Sequence, residues 1–427
     1  MDRKIRPVIY NGIDFNLQLK PYNHFKLKNG VPVYTLQAGK EEVLGIELVF
    51  FAGNSIEHKN LLAASTNFLL KNGTKQQSAF ELNEFFDYYG AFLERRCYNE
   101  TATLSLHCLT KHAETLLPAV AEIVTDSVFA QEELDIYRNN AKQKLKVNLT
   151  KAEFVANRMI DKNIYGFYHP YGKYTTNEAF DELTREDILD FYVQHYTKGN
   201  CILFVSGYLP DNLEAILDNT FGDLPFVIAA PSTLEFHYDI QSAAEKSQVI
   251  INDKNAVQGS LRIARHFPNR HSPDYVKAQV MNTLFGGYFS SRLMSNIREE
   301  KGYTYGIHSY IQNHIQETAL VISTEAGRNV IAPAIEEIWK EAERLIHTKV
   351  EEDELLMVKN YLIGTTLAEL DGPFEIMNRW KNYILNGLDD DYFYRTIDII
   401  KNISAQDIQE MAEKYLKKED FWQVIVY

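Results

Sequence analysis

The chain is short of basic residues, of cysteines and of long apolar runs, and each shortage excludes a class of protein. Its 427 residues carry 44 Lys and Arg against 58 Asp and Glu, a formal net charge of −14, with a pI near 5.4. Such a surface repels a nucleic-acid backbone or an anionic membrane, so neither is expected as a partner, and a basic or extended peptide fits better. The three cysteines, Cys97, Cys108 and Cys201, are odd in number, scattered and without CxxC spacing. They form no disulfide framework or cysteine metal motif, which predicts reduced, buried thiols. No stretch approaches the roughly 18 apolar residues of a membrane span, and the opening MDRKIRPVIYNGIDF lacks the apolar core of a secretory signal. A cytoplasmic protein is expected.

Catalytic signatures are also scarce. The 12 histidines form no HxxEH, HExxH or tight His/Asp cluster. His107 and His112, like His266 and His271, stand five apart, a spacing that does not align two ligands on one helix face. No GxSxG elbow, GxGxxG loop or Walker pattern occurs.

What the chain does have is bulk and an internal echo. At 427 residues it exceeds a comfortable single core, so two domains of about 200 residues are expected, and 45% hydrophobic residues suffice to fill both. Pro118–Ile123, PAVAEI, recurs 215 residues later as Pro333–Ile338, PAIEEI. Glu100-Thr-Ala102 returns as Glu317-Thr-Ala319, and Glu133-Leu134 with Arg138-Asn139 returns as Glu354-Leu355 with Lys359-Asn360. The capping box Thr184-x-x-Asp187-Ile188 returns as Ser404-x-x-Asp407-Ile408. Similar helices share such signals by chance, but four matches in one order at a nearly constant offset favour duplication. Each half reads as strands around a turn-helix unit, then long helices, then a closing strand such as Cys201–Val205 or Trp422–Val426. The expected class is α+β, with two homologous domains, each a mainly antiparallel sheet packed against helices. Residues 1–221 and 236–427 are the expected domains, and the proline-containing stretch 222–235 the linker.

One block of the second half could carry chemistry. Ser272-Pro273-Asp274 reads as a helix start, and Gly286-Gly287 as its end. A second helix around Ser291–Lys301 buries Leu293 and Ile297, Gly302 stops it, and a strand Tyr303–Tyr310 follows. Arg298 then lies near a helix C-terminus and Tyr305 just inside a strand. Together they could hold a peptide carbonyl and stabilise a developing oxyanion. Spacing alone equally allows a surface arginine and one of several half-buried tyrosines.

This block, with its glycine turn, Ser-Arg-Leu step (291–293) and an arginine followed seven residues later by tyrosine, resembles the carboxy-terminal domain of the pitrilysin/insulinase/mitochondrial processing peptidase superfamily. The duplicated halves, the Gly90–Leu109 stretch and Tyr168-His-Pro-Tyr-Gly172 resemble the same family. The resemblance implies a metallopeptidase-like (LuxS/MPP-like) fold, with Arg298 and Tyr305 as substrate-binding and transition-state residues. The family's zinc motif is HxxEH, shortly before a Gly-Thr turn. Alignment on Gly73-Thr74 puts Ala64, Asn67 and Phe68 at its His, Glu and His positions, and the lysine-rich run between Asp135 and Glu153 contains no acid for the third ligand. Alanine and phenylalanine offer no ligand atom, and a neutral amide is no base. The resemblance therefore implies a subunit that binds no metal itself, and a homologous HxxEH-bearing partner that carries the zinc. Peptide substrates would be held between them, with a homodimer as the assembly in the partner's absence. An inert pseudopeptidase scaffold is the competing expectation.

Overall fold

The period of two in the apolar residues decides the first sheet. In β3 (Val43–Phe50), residues Leu44, Ile46, Leu48 and Phe50 point into one buried cluster, joined by Leu104 and Leu106 of β5 (Ala102–Leu109) and Leu203 and Val205 of β6 (Cys201–Gly207). β1 (Asn23–Lys26), β2 (Pro32–Gln37) and β4 (Phe92–Cys97) complete the sheet, in the order β1-β2-β6-β3-β5-β4. A second sheet contains β7 (Ser247–Ile250), β8 (Gln258–His266), β9 (Thr304–Asn313), β10 (Thr318–Gly327) and β11 (Trp422–Val426), in the order β7-β11-β8-β10-β9. This computed structural model describes residues 11–227 and 238–427. No helix among them is long and apolar enough to cross a membrane.

The two sheets repeat one another. The run β2-β6-β3-β5-β4 has the order of β7-β11-β8-β10-β9, and its parallel pair β2/β6 matches the parallel pair β7/β11, every other neighbour being antiparallel. Smaller devices repeat too. Thr184 and Ser404 close capping boxes on the helices Arg185–Tyr192 and Ala405–Tyr415. Each box acid also takes a lysine, Lys59 on Asp187 at 2.6 Å and Lys277 on Asp407 at 2.5 Å. The α+β duplication is therefore expressed in strand order, strand direction and helix caps alike.

The domains are less linear than the repeat suggested. One compact unit joins 20–243 with 372–387, and the other joins 244–371 and 388–427 with the described stretch 11–19. The expected limits of 1–221, 222–235 and 236–427 miss this exchange, because a helix can pack on a sheet far from it in sequence. Helix Pro373–Leu385 does so: Lys381 reaches Glu47 of β3 at 2.7 Å, and the Trp380 indole N–H donates to the Lys20 carbonyl at 2.8 Å. The start of the expected linker is also structured. Phe226 is buried in the first core, and Val227 bridges Asn200, while 228–235 lies outside the described residues. All three cysteines are free thiols, Cys108 and Cys201 buried and Cys97 partly so. Burial pushes the Cys97 thiol up to about 12 and Cys108 up to about 11, leaving both protonated and unreactive.

Candidate functional site

In the second unit, the helix before the glycine turn begins at Tyr275 rather than Ser272. Asp274 does not act as a cap, because its carboxylate is taken by Lys414 and by the Tyr415 hydroxyl at 2.8 Å. The helix widens into a π-helical turn over Thr283–Gly287, which ends at the predicted glycine pair. The next helix is also π-helical over Met294–Glu300, with the Lys301 N–H on the Asn296 carbonyl at 3.0 Å. Such i→i+5 segments are rare and concentrate at functional sites. Leu293 and Ile297 are fully buried, which fixes the helix and turns Arg298 outward from the core. Gly302, at φ 64°, adopts the left-handed conformation that ends the helix, and β9 follows at Thr304.

Arg298 is half-buried with its guanidinium carbon 4.8 Å from the Phe289 ring centroid, a cation–π contact worth about 0.5–1 kcal/mol at an exposed site. Tyr305 is 93% exposed, the most exposed of the large hydrophobic side chains among the described residues. It sits on β9, the edge strand of its sheet, where pairing with β10 slips between Thr324 and Ala326. No hydrogen bond joins Arg298 to Tyr305, and both polar ends are open. A guanidinium fork and a phenol beside an unpaired strand edge can grip the backbone of an extended peptide. Phe289 was missed by sequence reasoning; its signal was an aromatic doublet, Tyr288-Phe289, of which Tyr288 is buried and Phe289 is 61% exposed.

The helix Leu62–Leu69, where the resemblance puts the metal motif, lies in the first unit. Its amino end is held by Glu57, which accepts from the Leu61 and Ala63 N–H groups at 3.2 and 2.9 Å and from Lys173 at 2.6 Å. Burial drives the Glu57 carboxyl above its ordinary range, and the Lys173 ammonium works against that rise. Asn67 is buried and donates to the Thr103 carbonyl at 3.3 Å and the Tyr196 hydroxyl at 3.2 Å. Phe68 lies between the Tyr137 ring, 4.9 Å away, and the Arg95 guanidinium, 4.6 Å from its centroid.

These residues do not fit zinc. Ala64 and Phe68 supply no donor atom, Asn67 is committed to the sheet, and a permanent cation stands over Phe68 where a dication would repel it. The helix Gln131–Asn148, from which a third ligand would come, instead presents Tyr137 to Phe68. Across the described residues, no group of three His, Cys, Asp or Glu side chains is placed to hold a metal ion.

With this geometry in hand, the likeness to known proteins can be located on the chain. Residues 182–362 match the family described as the Peptidase M16 inactive domain. That stretch, under half of the chain, is similar to an M16 inactive domain. The match runs from the capping box at Thr184 through Arg298 and Tyr305 into the helix Glu352–Ala368. The crystal structure of a peptidase M16 inactive domain from Pseudomonas fluorescens shares the M16 fold with a TM-score of 0.83 at 21% identity, covering 95% of this chain and 98% of that one. A Bacillus subtilis protein named uncharacterized zinc protease YmxG is 24% identical over 359 residues, 82% of this chain and 84% of its own. A Helicobacter pylori protein named non-peptidase homolog YmxG is 20% identical over 424 residues, 97% of this chain and 96% of its own. The names of these M16 relatives thus divide between peptidase and non-peptidase.

Proposed function

We propose that this M16 chain is the zinc-lacking subunit of a heterodimeric metallopeptidase. It holds extended peptide with Arg298 and Tyr305 and leaves water activation to a homologous HxxEH-bearing partner. The observation that carries this reading is an asymmetry of exposure. Tyr305 stands 93% open on an edge strand, with no structural work to do, whereas Asn67 is buried in hydrogen bonds to the Thr103 carbonyl and the Tyr196 hydroxyl. A side chain retained without a packing role is explained by a ligand it meets.

In this reading the substrate adds as a strand beside β9, whose free edge offers unpaired backbone groups, giving affinity with little sequence selectivity. The Tyr305 hydroxyl and the Arg298 fork then stabilise charge developing on the scissile carbonyl oxygen. The complex assembles in the cytoplasm, and without its partner the chain pairs with itself. The test is a peptidase assay on each purified subunit and on the mixture: activity only in the mixture is expected, and full activity of this chain alone would overturn the assignment.

A second reading is a catalytically inert scaffold or peptide-binding protein. The aromatic stack at Phe68 and the relative named a non-peptidase homolog favour it. Peptide binding by the chain with no gain in rate for any HxxEH homologue added to it would decide for this alternative.

A further inference from the structure

The first sheet has a second face, and it is polar. Residues that alternate with the core set, Glu47 on β3, Thr103 and Ser105 on β5, Phe204 and Ser206 on β6, and Glu94 on β4, line a cavity of about 320 Å³. Its roof is the helix Pro373–Leu385. Two pillars hold this roof off the sheet. Phe374 packs edge-on against His107 with ring centroids 5.4 Å apart, and Lys381, two turns further on, is paired with Glu47 at 2.7 Å. A glycine at position 45 is what lets the first pillar land, because a Cβ there would meet the Phe374 ring at 2.9 Å and His107 at 3.2 Å. Between the pillars Met377 and Asn378 face the cavity.

The cavity has unspent polar groups. Thr103 and Ser206 are 3% and 5% exposed, and their hydroxyls have no hydrogen-bond partner among the described residues. Both line the cavity, where each hydroxyl can donate to or accept from an occupant. The charges do not balance either. Lys381 is matched by Glu47, and Arg96 by Glu94 at 3.1 Å, which leaves the Glu375 carboxylate on the first turn of the roof helix without a counter-ion. The hydroxyls can donate or accept, whereas the carboxylate only accepts, so the occupant that complements this lining is a donor with one net positive charge.

We propose that this cavity binds a small organic cation, a guanidinium or ammonium group carried on a short polar body, with its charge at Glu375 and its donors on Ser206 and Thr103. The volume admits a molecule about the size of a free basic amino acid. Two sources share that chemistry, a free basic amino acid and a basic side chain of a peptide. The site lies wholly within the first unit and stands independently of the role proposed for Arg298 and Tyr305.

Isothermal titration calorimetry on the full chain tests it, with L-arginine, N-acetyl-arginine amide, L-citrulline and L-glutamate as probes. Saturable one-to-one binding of either arginine probe, and none of citrulline, is the expected result. Binding of both arginine probes or of the free amino acid alone identifies a metabolite site, and binding of the capped form alone a peptide site. Glu375→Gln, at an exposed position without a structural partner, should weaken binding about tenfold, the value of one charged hydrogen bond. Ser206→Val should weaken it, because it replaces a hydrogen-bonding hydroxyl with methyl groups. Absence of binding by both arginine probes, equal binding of citrulline, or unchanged affinity in Glu375→Gln would overturn the proposal.

Discussion

The two halves fold by one plan and differ in what it leaves exposed. In the first, Asn67 ties the helix Leu62–Leu69 to Thr103 of the sheet and to the Tyr196 hydroxyl, and the outward Phe68 stays half exposed between Tyr137 and Arg95. In the second, Asn282, also 215 residues on (282 − 67 = 215), donates to the Ser309 carbonyl at 3.3 Å at the same point of the plan. Beyond it, Arg298 and Tyr305 are left open. Asn67 is thus a structural anchor with a counterpart in the second half, and the anchor needs only an amide.

The largest effect should come from the open half. Arg298→Ala or Tyr305→Phe should lower kcat of the reconstituted pair by on the order of 10² to 10³, the worth of one oxyanion donor, with an unchanged melting temperature. Equal rates for wild type and Tyr305→Phe in single-turnover assays would erase the proposed difference between the halves.

Next come the anchors. Asn67→Ala leaves a buried carbonyl and a buried phenol short of a partner and should cost about 1–3 kcal/mol in urea unfolding, while leaving the activity of the folded pair nearly unchanged. Asn282→Ala should cost less, about 1 kcal/mol, because it removes one donor bond together with an Oδ1 that is buried without a partner. The reverse ranking would mean that the two anchors are not equivalent in kind.

Smaller again is the twin lysine device. Burial works against the Asp187 carboxylate, but bonds from Lys59 and Thr184 outweigh it and hold it at about 2. At Asp407 the Lys277 bond leads, and it too stands at about 2. Both acids are depressed below their ordinary value of 3.8, so their contribution is complete above that value and is lost as the pH falls through about 2. Lys277→Ala or Lys59→Ala should each cost about 1 kcal/mol at neutral pH after allowance for solvent screening. Acid titrations should show a shallower loss of stability in each variant between about pH 4 and pH 2.

The smallest effect is expected at Phe289. Phe289→Leu keeps an apolar side chain but loses the ring under Arg298, worth about 0.5–1 kcal/mol, so peptide affinity should fall only a few-fold and Phe289→Tyr should restore it. Fluorescence anisotropy with a labelled peptide reads this directly; a variant with Leu and one with Tyr behaving alike would remove Phe289 from the site.

Local reading was sufficient wherever a short stretch carries its own instruction. The capping boxes at Thr184 and Ser404, the stop at Gly302 and the closing strand Trp422–Val426 all follow from residue types and their spacing. The repeat offset exposed the duplication in the same way. The amino acids themselves, then, determined two copies of an α+β plan, and an arginine and a tyrosine seven residues apart. Tertiary structure alone decided that Pro373–Leu385 roofs the first sheet, that Glu57 caps a helix with Lys173 as its counter-ion, that β9 is an edge, and that Phe289 carries Arg298. Each of these joins residues whose separation in the chain says nothing about their distance in space, and burial, which sets what a side chain is free to do, exists only once both partners are in place.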